Sequence, residues 1–335
     1  LGRFISIILQ YKIMPTLQYH QVIENELSVF EQKFKEAVKS QAPLLDRITH
    51  YIINRKGKQL RPRFVLLAAK LFGPITDTTY RAASFVELLH TATLVHDDVV
   101  DESMERRGFF SINALWKNKV AVLVGDYLLS KGLLLSLESQ EYQVLHILSE
   151  AVKKMSEGEL LQIEKARKLN LDEEIYFEII RNKTASLLAS ACSAGAWSTT
   201  NDAEKTEQMR LFGEKTGIAF QIKDDLFDYG SDNVGKPTGN DIKEKKMTLP
   251  MIYALNNASA SIKRKMIYTI KNENKDKQKV AWLIDQVREA GGITYAIDKM
   301  NAYRDEALSI LKKLPQNEAN LALEELVRYT TDRKY

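Results

Sequence analysis

Where proline is missing narrows the fold more than any other feature of this sequence. The chain has 335 residues and seven prolines, and none lies between Pro74 and Pro237. Proline inside a helix removes a backbone donor and clashes with the preceding turn. So long a stretch without it suits a succession of long helices. The apolar pattern agrees, since Leu88, Ala92, Val95 and Val99 recur at helical spacing. Few segments alternate apolar and polar residues as strands do. Loops are expected at Phe72-Gly73-Pro74, at Gly108 to Ser111 and near Ser198 to Asp202. Others are expected from Gly230 to Gly239 and, as a solvated turn, across the charged tract Lys271 to Lys279. No low-complexity linker divides the chain. The reading is all-α: a single-domain helical bundle of ten or more helices over residues 20–335, preceded by an N-terminal extension, 1–19.

Composition excludes several classes of protein. Apolar residues make up 44%, enough for a sizeable core rather than a disordered chain. Basic and acidic residues number 48 and 44, a balance that argues against a nucleic-acid partner. The one cysteine, Cys192, rules out an intrachain disulfide and fits a reducing, cytoplasmic setting. The apolar run from Phe4 to Leu9 is too short for a signal h-region or a membrane span. A soluble protein is expected. The first methionine is Met14, and the stretch before it reads as an upstream extension.

Two segments share the pattern D-D-x-x-D: Asp97-Asp98-Val99-Val100-Asp101 and Asp224-Asp225-Leu226-Phe227-Asp228. On a helix, His90, Asp97 and Asp101 fall on one face, with Thr93 one turn below Asp97. Gly217, Gln221, Asp224 and Asp228 repeat the arrangement. Carboxylates stacked one turn apart repel each other unless a cation stands between them. Hard oxygen donors in this number suit Mg²⁺, which binds through a few carboxylates and substrate phosphates. A single such motif reads equally well as a solvated acidic helix end. Two, each ending an apolar helical stretch and followed by a basic loop, do not. The basic residues are Lys58 and Arg61 after Gly57, Arg106-Arg107-Gly108 after the first motif, Lys183-Thr184, and Lys236 after Gly235. Together with the aspartates they can hold two diphosphates, one through metal and one through cations alone.

These segments resemble the trans-isoprenyl (polyprenyl) diphosphate synthase family. The resemblance runs by motif from about Gly57 to Pro250. It is carried by Gly57-Lys58-x-x-Arg61-Pro62, Glu87-Leu88-Leu89-His90, and His96 to Asp101 with Arg106-Arg107-Gly108. It continues through Gly125-Asp126-Tyr127-Leu128, Lys183 to Leu187, Phe220 to Asp228, Gly235-Lys236-Pro237-Thr238-Gly239-x-Asp241 and Thr248-Leu249-Pro250. It implies an isoprenoid-synthase bundle around a central cavity. The implied reaction is head-to-tail condensation of isopentenyl diphosphate with an allylic diphosphate. The implied cofactor is Mg²⁺, three ions per site, with Mn²⁺ able to substitute.

By the same resemblance, Asp97, Asp98, Asp101, Asp224, Asp225 and Asp228 hold metal, and Arg106, Lys183, Lys236 and Lys246 hold the allylic diphosphate. Lys58, Arg61, His90 and Arg107 hold isopentenyl diphosphate, while Thr184 and Gln221 present oxygen dipoles to the developing carbocation. Ala92 and Thr93 stand where bulky aromatics in the family give short products, so an open tunnel and a long all-trans product for quinone side chains are expected. A homodimer and transient membrane contact during product release are expected as well. The alternatives are a short-chain (farnesyl or geranylgeranyl) synthase, a terpene cyclase and a non-catalytic synthase subunit. A cyclase should lack the cation-only site, and a non-catalytic subunit should lack the aspartates.

The sequence departs from the family pattern at Lys56 and Lys245, where glycine is usual, and at Gln59, where arginine is common. Phe109-Phe110-Ser111 replaces a more polar loop. His96 reads as a helix residue bonded to a neighbour, and Cys192, Trp116 and Trp197 as packing residues.

Overall fold

The computed structural model describes residues 19–54, 57–106, 108–168, 172–230 and 239–332. These form α1 (Tyr19–Val22), α2 (Glu24–Ala37), α3 (Pro43–Ile53), α4 (Leu60–Lys70), α5 (Asp77–Val100), α6 (Ile112–Glu138), α7 (Tyr142–Lys168) and α8 (Glu173–Ile180). A π-helical turn, Arg181–Ala185, leads into α9 (Ser186–Thr200), followed by α10 (Ala203–Phe227) and α11 (Asn240–Lys243). The remainder is α12 (Leu249–Asn257), α13 (Ala260–Asn272), α14 (Lys277–Glu289), α15 (Gly292–Leu311) and α16 (Glu318–Asp332). The all-α expectation holds with one exception. The loop after the first acidic motif is a minimal hairpin, β1 (Glu105–Arg106) antiparallel to β2 (Phe109–Phe110). Gly108 turns it with φ +77°, a conformation that costs glycine little. Residues 1–18, and most of the loop expected from Gly230 to Gly239, lie outside the described residues.

Helix α9 is the axis of the bundle. Its sequence, from Ser186 to Ala196, is small and buried nearly all round. Small side chains let neighbouring backbones approach closely. A Cβ added to Gly195 would lie 2.4 Å from the Val65 carbonyl oxygen of α4, and one on Gly213 of α10 would lie 2.7 Å from Ala189 Cα. Cys192 is fully buried here, where desolvation holds its thiol protonated. Two apolar cores result. The first joins α4, α5, α6 and α9; the second gathers α8, α12, α14 and α15. Helix α10 belongs to both, through Met209 and Phe212 in the first and Ile218, Ala219 and Ile222 in the second. Helix α15 does the same, with Ala307, Leu308 and Leu311 in the first core and Ala296 and Met300 in the second, so two long helices tie the halves together.

Helix α6 packs along α5 at two notches. A Cβ on Gly132 would strike the Phe85 ring, and one on Gly125 would strike the His96 imidazole. His96 Nε2 lies 3.2 Å from the Val122 carbonyl and 3.4 Å from Asp126, the neighbour-bonded role read from the sequence. Ala92 lies seven residues after Phe85 and four before His96, on the same stripe of α5. The other side of α6 exposes Leu115, Val122, Leu123, Leu134 and Leu137. By length and composition alone α6 is also apolar enough to cross a membrane, the single such helix among the described residues.

Candidate active site

Both acidic motifs occupy helix C-terminal ends, where backbone carbonyls already concentrate negative partial charge. Thr76 starts α5 with a reciprocal cap to Thr79, and Asp202 starts α10 by accepting from the Glu204 and Lys205 amides. Their last turns carry Asp97, Asp98 and Asp101, and Asp224, Asp225 and Asp228, with no basic residue in either turn. Helix ends built this way call for an external cation.

Between them lies a cavity of about 470 Å³. Asp98 and Asp224 line it from the two motifs, with Phe220 one turn before Asp224. Lys58, Arg61 and His90 line it as well, His90 from the same helix, α5, as Asp98. The structure therefore brings these three residues to one cavity. Arg61 Nη1 is 2.8 Å from His90 Nε2; arginine can only donate, so the imidazole accepts at Nε2. Lys58 Nζ donates to the Tyr329 hydroxyl at 2.6 Å and lies 5.1 Å from that ring's centre. Tyr329 comes from α16, 271 residues away in sequence, and no local motif points to it. Gln59, between the motif residues, has φ +49°. Phe109 and Phe110 of the hairpin close the cavity's edge, held by a 2.7 Å bond from the Tyr51 hydroxyl to the Phe110 carbonyl.

The π turn presents Lys183 and Thr184. Lys183 forms an ion pair with Glu159 of α7 and lies 3.5 Å from Gln162. Thr184 Oγ1 donates to Gln221 Oε1 at 2.7 Å, and Gln221 Nε2 donates to Asp225 Oδ1 at 2.8 Å. The second Asp225 oxygen accepts from the Tyr176 hydroxyl at 2.7 Å. Two oxygens and two donors leave this aspartate turned into the protein, buried, rather than toward the cavity.

Asp241 is the residue the motif reading left without a role. It is mostly buried beside Asp228, whose carboxylate accepts from the Asn240 and Asp241 amides. Burial, and then repulsion from neighbouring carboxylates (Asp241 on Asp225, Asp228 on Asp241), push the carboxyls of Asp225 and Asp241 well above the ordinary range. Burial also raises Asp228, against its amide bonds. Lys246 answers this charge. Burial works to lower its pKa, but Glu244, Asp241 and Asp101 outweigh burial and raise it. Lys246 thus feels Asp101 of the first motif together with Asp241 and Glu244 of its own segment. The neighbouring Lys245 has φ +58°, which accounts for the glycine usual there.

The donor set fits Mg²⁺: hard carboxylates at the ends of two helices that line one cavity. Among the described residues no three acidic or histidine side chains converge on one point. That spread suits ions that take most of their ligands from diphosphate oxygens and water rather than from a protein cage. Arg107, Lys236 and the side chain of Arg106 lie outside the described residues. Ala92 is buried in the α5–α6 seam and Thr93 is half-buried; neither lines the cavity, which reaches α5 through Glu87, His90, Thr91, Leu94, Val95 and Asp98.

Comparison with known proteins agrees with this site. The Polyprenyl synthetase family profile matches residues 42–287. The all-trans-nonaprenyl-diphosphate synthase (geranyl-diphosphate specific) of Rhodobacter capsulatus is 34% identical over 314 residues, covering 93% of this chain and 96% of that protein. The crystal structure of a decaprenyl diphosphate synthase from Rhodobacter capsulatus superposes with a TM-score of 0.90 at 34% identity, covering 95% of this chain and 99% of that one. That of a geranylgeranyl pyrophosphate synthase from Bacteroides thetaiotaomicron superposes with a TM-score of 0.81 at 39% identity, covering 95% and 99%. The chain belongs to the polyprenyl synthetase family and is a prenyltransferase with the all-α isoprenoid-synthase fold.

Proposed function

We propose that this chain condenses isopentenyl diphosphate with an allylic diphosphate, head to tail, and repeats the step to a long all-trans polyprenyl diphosphate. The observation that carries the reading is one cavity lined both by Asp98 and Asp224 of the two acidic motifs and by Lys58, Arg61 and His90. Bound Mg²⁺ would supply positive charge to the leaving diphosphate as the allylic C–O bond breaks. Asp97, Asp98, Asp101, Asp224 and Asp228 would hold it, with Asp241 beside them. Lys183 and Lys246 hold the same diphosphate directly. Lys58, Arg61 and His90 hold isopentenyl diphosphate, whose double bond attacks the allylic C1. Thr184 and Gln221 set oxygen dipoles toward the positive carbon. No side-chain base is needed, because the departing diphosphate can accept the proton that is lost.

The test is the purified chain alone with labelled isopentenyl diphosphate, farnesyl diphosphate and Mg²⁺. Acid-labile label extractable into organic solvent should appear, vanish with chelator and return with Mg²⁺. Turnover in metal-free buffer would overturn the reading. Inactivity until a second polypeptide is added would mark a two-subunit enzyme; one relative, from Bacillus subtilis, is a heptaprenyl diphosphate synthase component 2. A second reading, a geranylgeranyl-length product, is favoured by the 39% identity to the Bacteroides thetaiotaomicron protein. Chromatography of the dephosphorylated prenols separates the two. The apolar outer face of α6 supports a homodimer. Exposed Val100, Met104, Phe109 and Phe110, near the cavity mouth, suit brief contact with lipid as product leaves; sedimentation with neutral vesicles should then fall on Phe109→Ser.

A further inference from the structure

Four residues form a buried chain of hydrogen bonds beside the second acidic motif. Tyr176 of α8 donates to Asp225 Oδ2 at 2.7 Å, Gln221 Nε2 donates to Asp225 Oδ1 at 2.8 Å, and Thr184 donates to Gln221 Oε1 at 2.7 Å. Every bond in the chain has a direction, and the directions are linked. Both Asp225 oxygens accept, one from the Tyr176 hydroxyl and one from Gln221 Nε2, so Asp225 draws the amide nitrogen of Gln221 toward itself. The amide oxygen then faces Thr184 and takes its hydroxyl proton. What remains on Thr184 Oγ1 is lone-pair density.

We infer that Tyr176 is a positioning residue for this reaction: its hydroxyl pins Asp225, Asp225 fixes the Gln221 amide, and the amide makes Thr184 an acceptor toward the cation. The inference rests on the proposed roles of Thr184 and Gln221 near the allylic carbon. Its logic is electrostatic. An amide is nearly symmetric in shape, and its two ends are told apart only by their partners. With Asp225 loose, Gln221 can rotate end for end, offer its NH₂ to the Thr184 oxygen and turn the hydroxyl proton outward. A donor dipole would then face a developing positive charge, the reverse of the preorganisation that lowers a barrier.

Tyr176 has the surroundings of a fixed part. It is 4% exposed, sits in the second core and meets the Phe177 ring edge-on at 5.3 Å. It comes from α8, one helix before the π turn that carries Thr184. It is not among the described residues that line the cavity. The inference also divides the second motif by role. Asp224, which lines the cavity, is left for metal, while Asp225, with both oxygens committed inward, serves the amide.

The test is Tyr176→Phe, which keeps the ring and removes the hydroxyl. The expected result is a roughly tenfold fall in kcat, the size of effect typical of a lost orienting bond. The KM for each diphosphate and the Mg²⁺ concentration at half-activation should not move. In a Gln221→Ala background the same substitution should do nothing further, since both act through one amide. Wild-type kcat in Tyr176→Phe would overturn the inference. So would a loss that multiplies with that of Gln221→Ala, or one restored by excess Mg²⁺. Asp225→Asn supplies a second probe should Tyr176→Phe fold poorly. It should lower kcat and leave the Mg²⁺ half-activation in place, whereas Asp224→Asn should raise it; a matching rise in Asp225→Asn would make Asp225 a metal residue and overturn the inference. If Gln221→Ala alone keeps its kcat, the underlying reading of Gln221 and Thr184 falls, and the inference with it. If Gln221→Ala is impaired and Tyr176→Phe is not, the inference alone falls.

Discussion

Gly217→Ala should cripple turnover out of proportion to the single methyl group it adds. Gly217 lies one turn before Gln221 on α10, pressed against the last residue of the π turn. An added Cβ would stand 2.6 Å from Ala185 Cα and 2.8 Å from Ala185 Cβ. Carbon atoms rest at about 3.5–4.0 Å, so α10 must retreat by about 1 Å. Ala185 is fully buried and follows Thr184 directly. A retreat of that size stretches the 2.7 Å Thr184–Gln221 bond past the length at which it counts as one. Overpacking of this kind costs about 1–3 kcal/mol, which for a domain this large lowers Tm by a few degrees. A displacement of about 1 Å at reacting groups costs up to about 10²-fold in rate. Calorimetry and incorporation of labelled isopentenyl diphosphate read the two effects separately. Gly73→Ala is the control, because its nearest neighbour would be Thr199 Cβ at 3.9 Å. A Gly217→Ala protein with the control's Tm and kcat would mean that α10 and the π turn are not in close contact, and the account of the site would fail.

Three further outcomes are expected. In chelator, Tm should fall as pH rises from the ordinary carboxylate range to about 8, because burial gives Asp225, Asp228 and Asp241 raised values and the folded chain keeps protons the unfolded chain has lost; Mg²⁺ with inorganic diphosphate should flatten that fall, and a slope unchanged by both would refute the linkage. Leu123→Glu, on the exposed face of α6, should convert a dimer to a monomer by light scattering, and a variant that stays dimeric would move the interface elsewhere. Thr93→Phe should shorten the product with elongation still active, whereas Ala92→Phe should mainly lower Tm by forcing α5 off α6; shortening by Ala92→Phe at unchanged Tm would put the tunnel in that seam.

What the sequence made legible follows from the range of the interactions involved. Helix length and the two acidic motifs are local, written in spacing and in the absence of proline, and they appear in α5 and α10 where expected. The convergence of Lys58, Arg61 and His90 followed from family resemblance, and the cavity brings them together. Tyr329 and Tyr176 were invisible because each acts across a long chain separation through one hydroxyl, and no local pattern marks that. Asp241 stood inside a quoted motif, yet only the fold puts it against Asp228. Ala92 is buried and does not line the cavity, so its expected place along the path of the growing chain rests on the resemblance alone. The hairpin at Phe109 was missed because two-residue strands carry no periodicity to read.

The proposed site also offers a way for one cavity to keep its substrates apart. At their phosphate ends isopentenyl and allylic diphosphates are chemically alike, so hydrogen-bond shape cannot sort them there. Charge can. In the proposed site a bare diphosphate is repelled by the carboxylates at two helix C-terminal ends and held by Lys58 and Arg61. The acidic helix ends would then accept a diphosphate only together with cations that balance both partners. That arrangement matches the chemistry each substrate undergoes. The diphosphate of isopentenyl diphosphate stays attached through the bond-forming step and needs only to be held, which fixed cations do equally well in ground and transition states. The allylic diphosphate must leave, and its charge grows as it does, so it sits where additional positive charge can be concentrated. Each elongated product is itself an allylic diphosphate, and in the proposed site it must return to the acidic helix ends before the next isopentenyl unit can add.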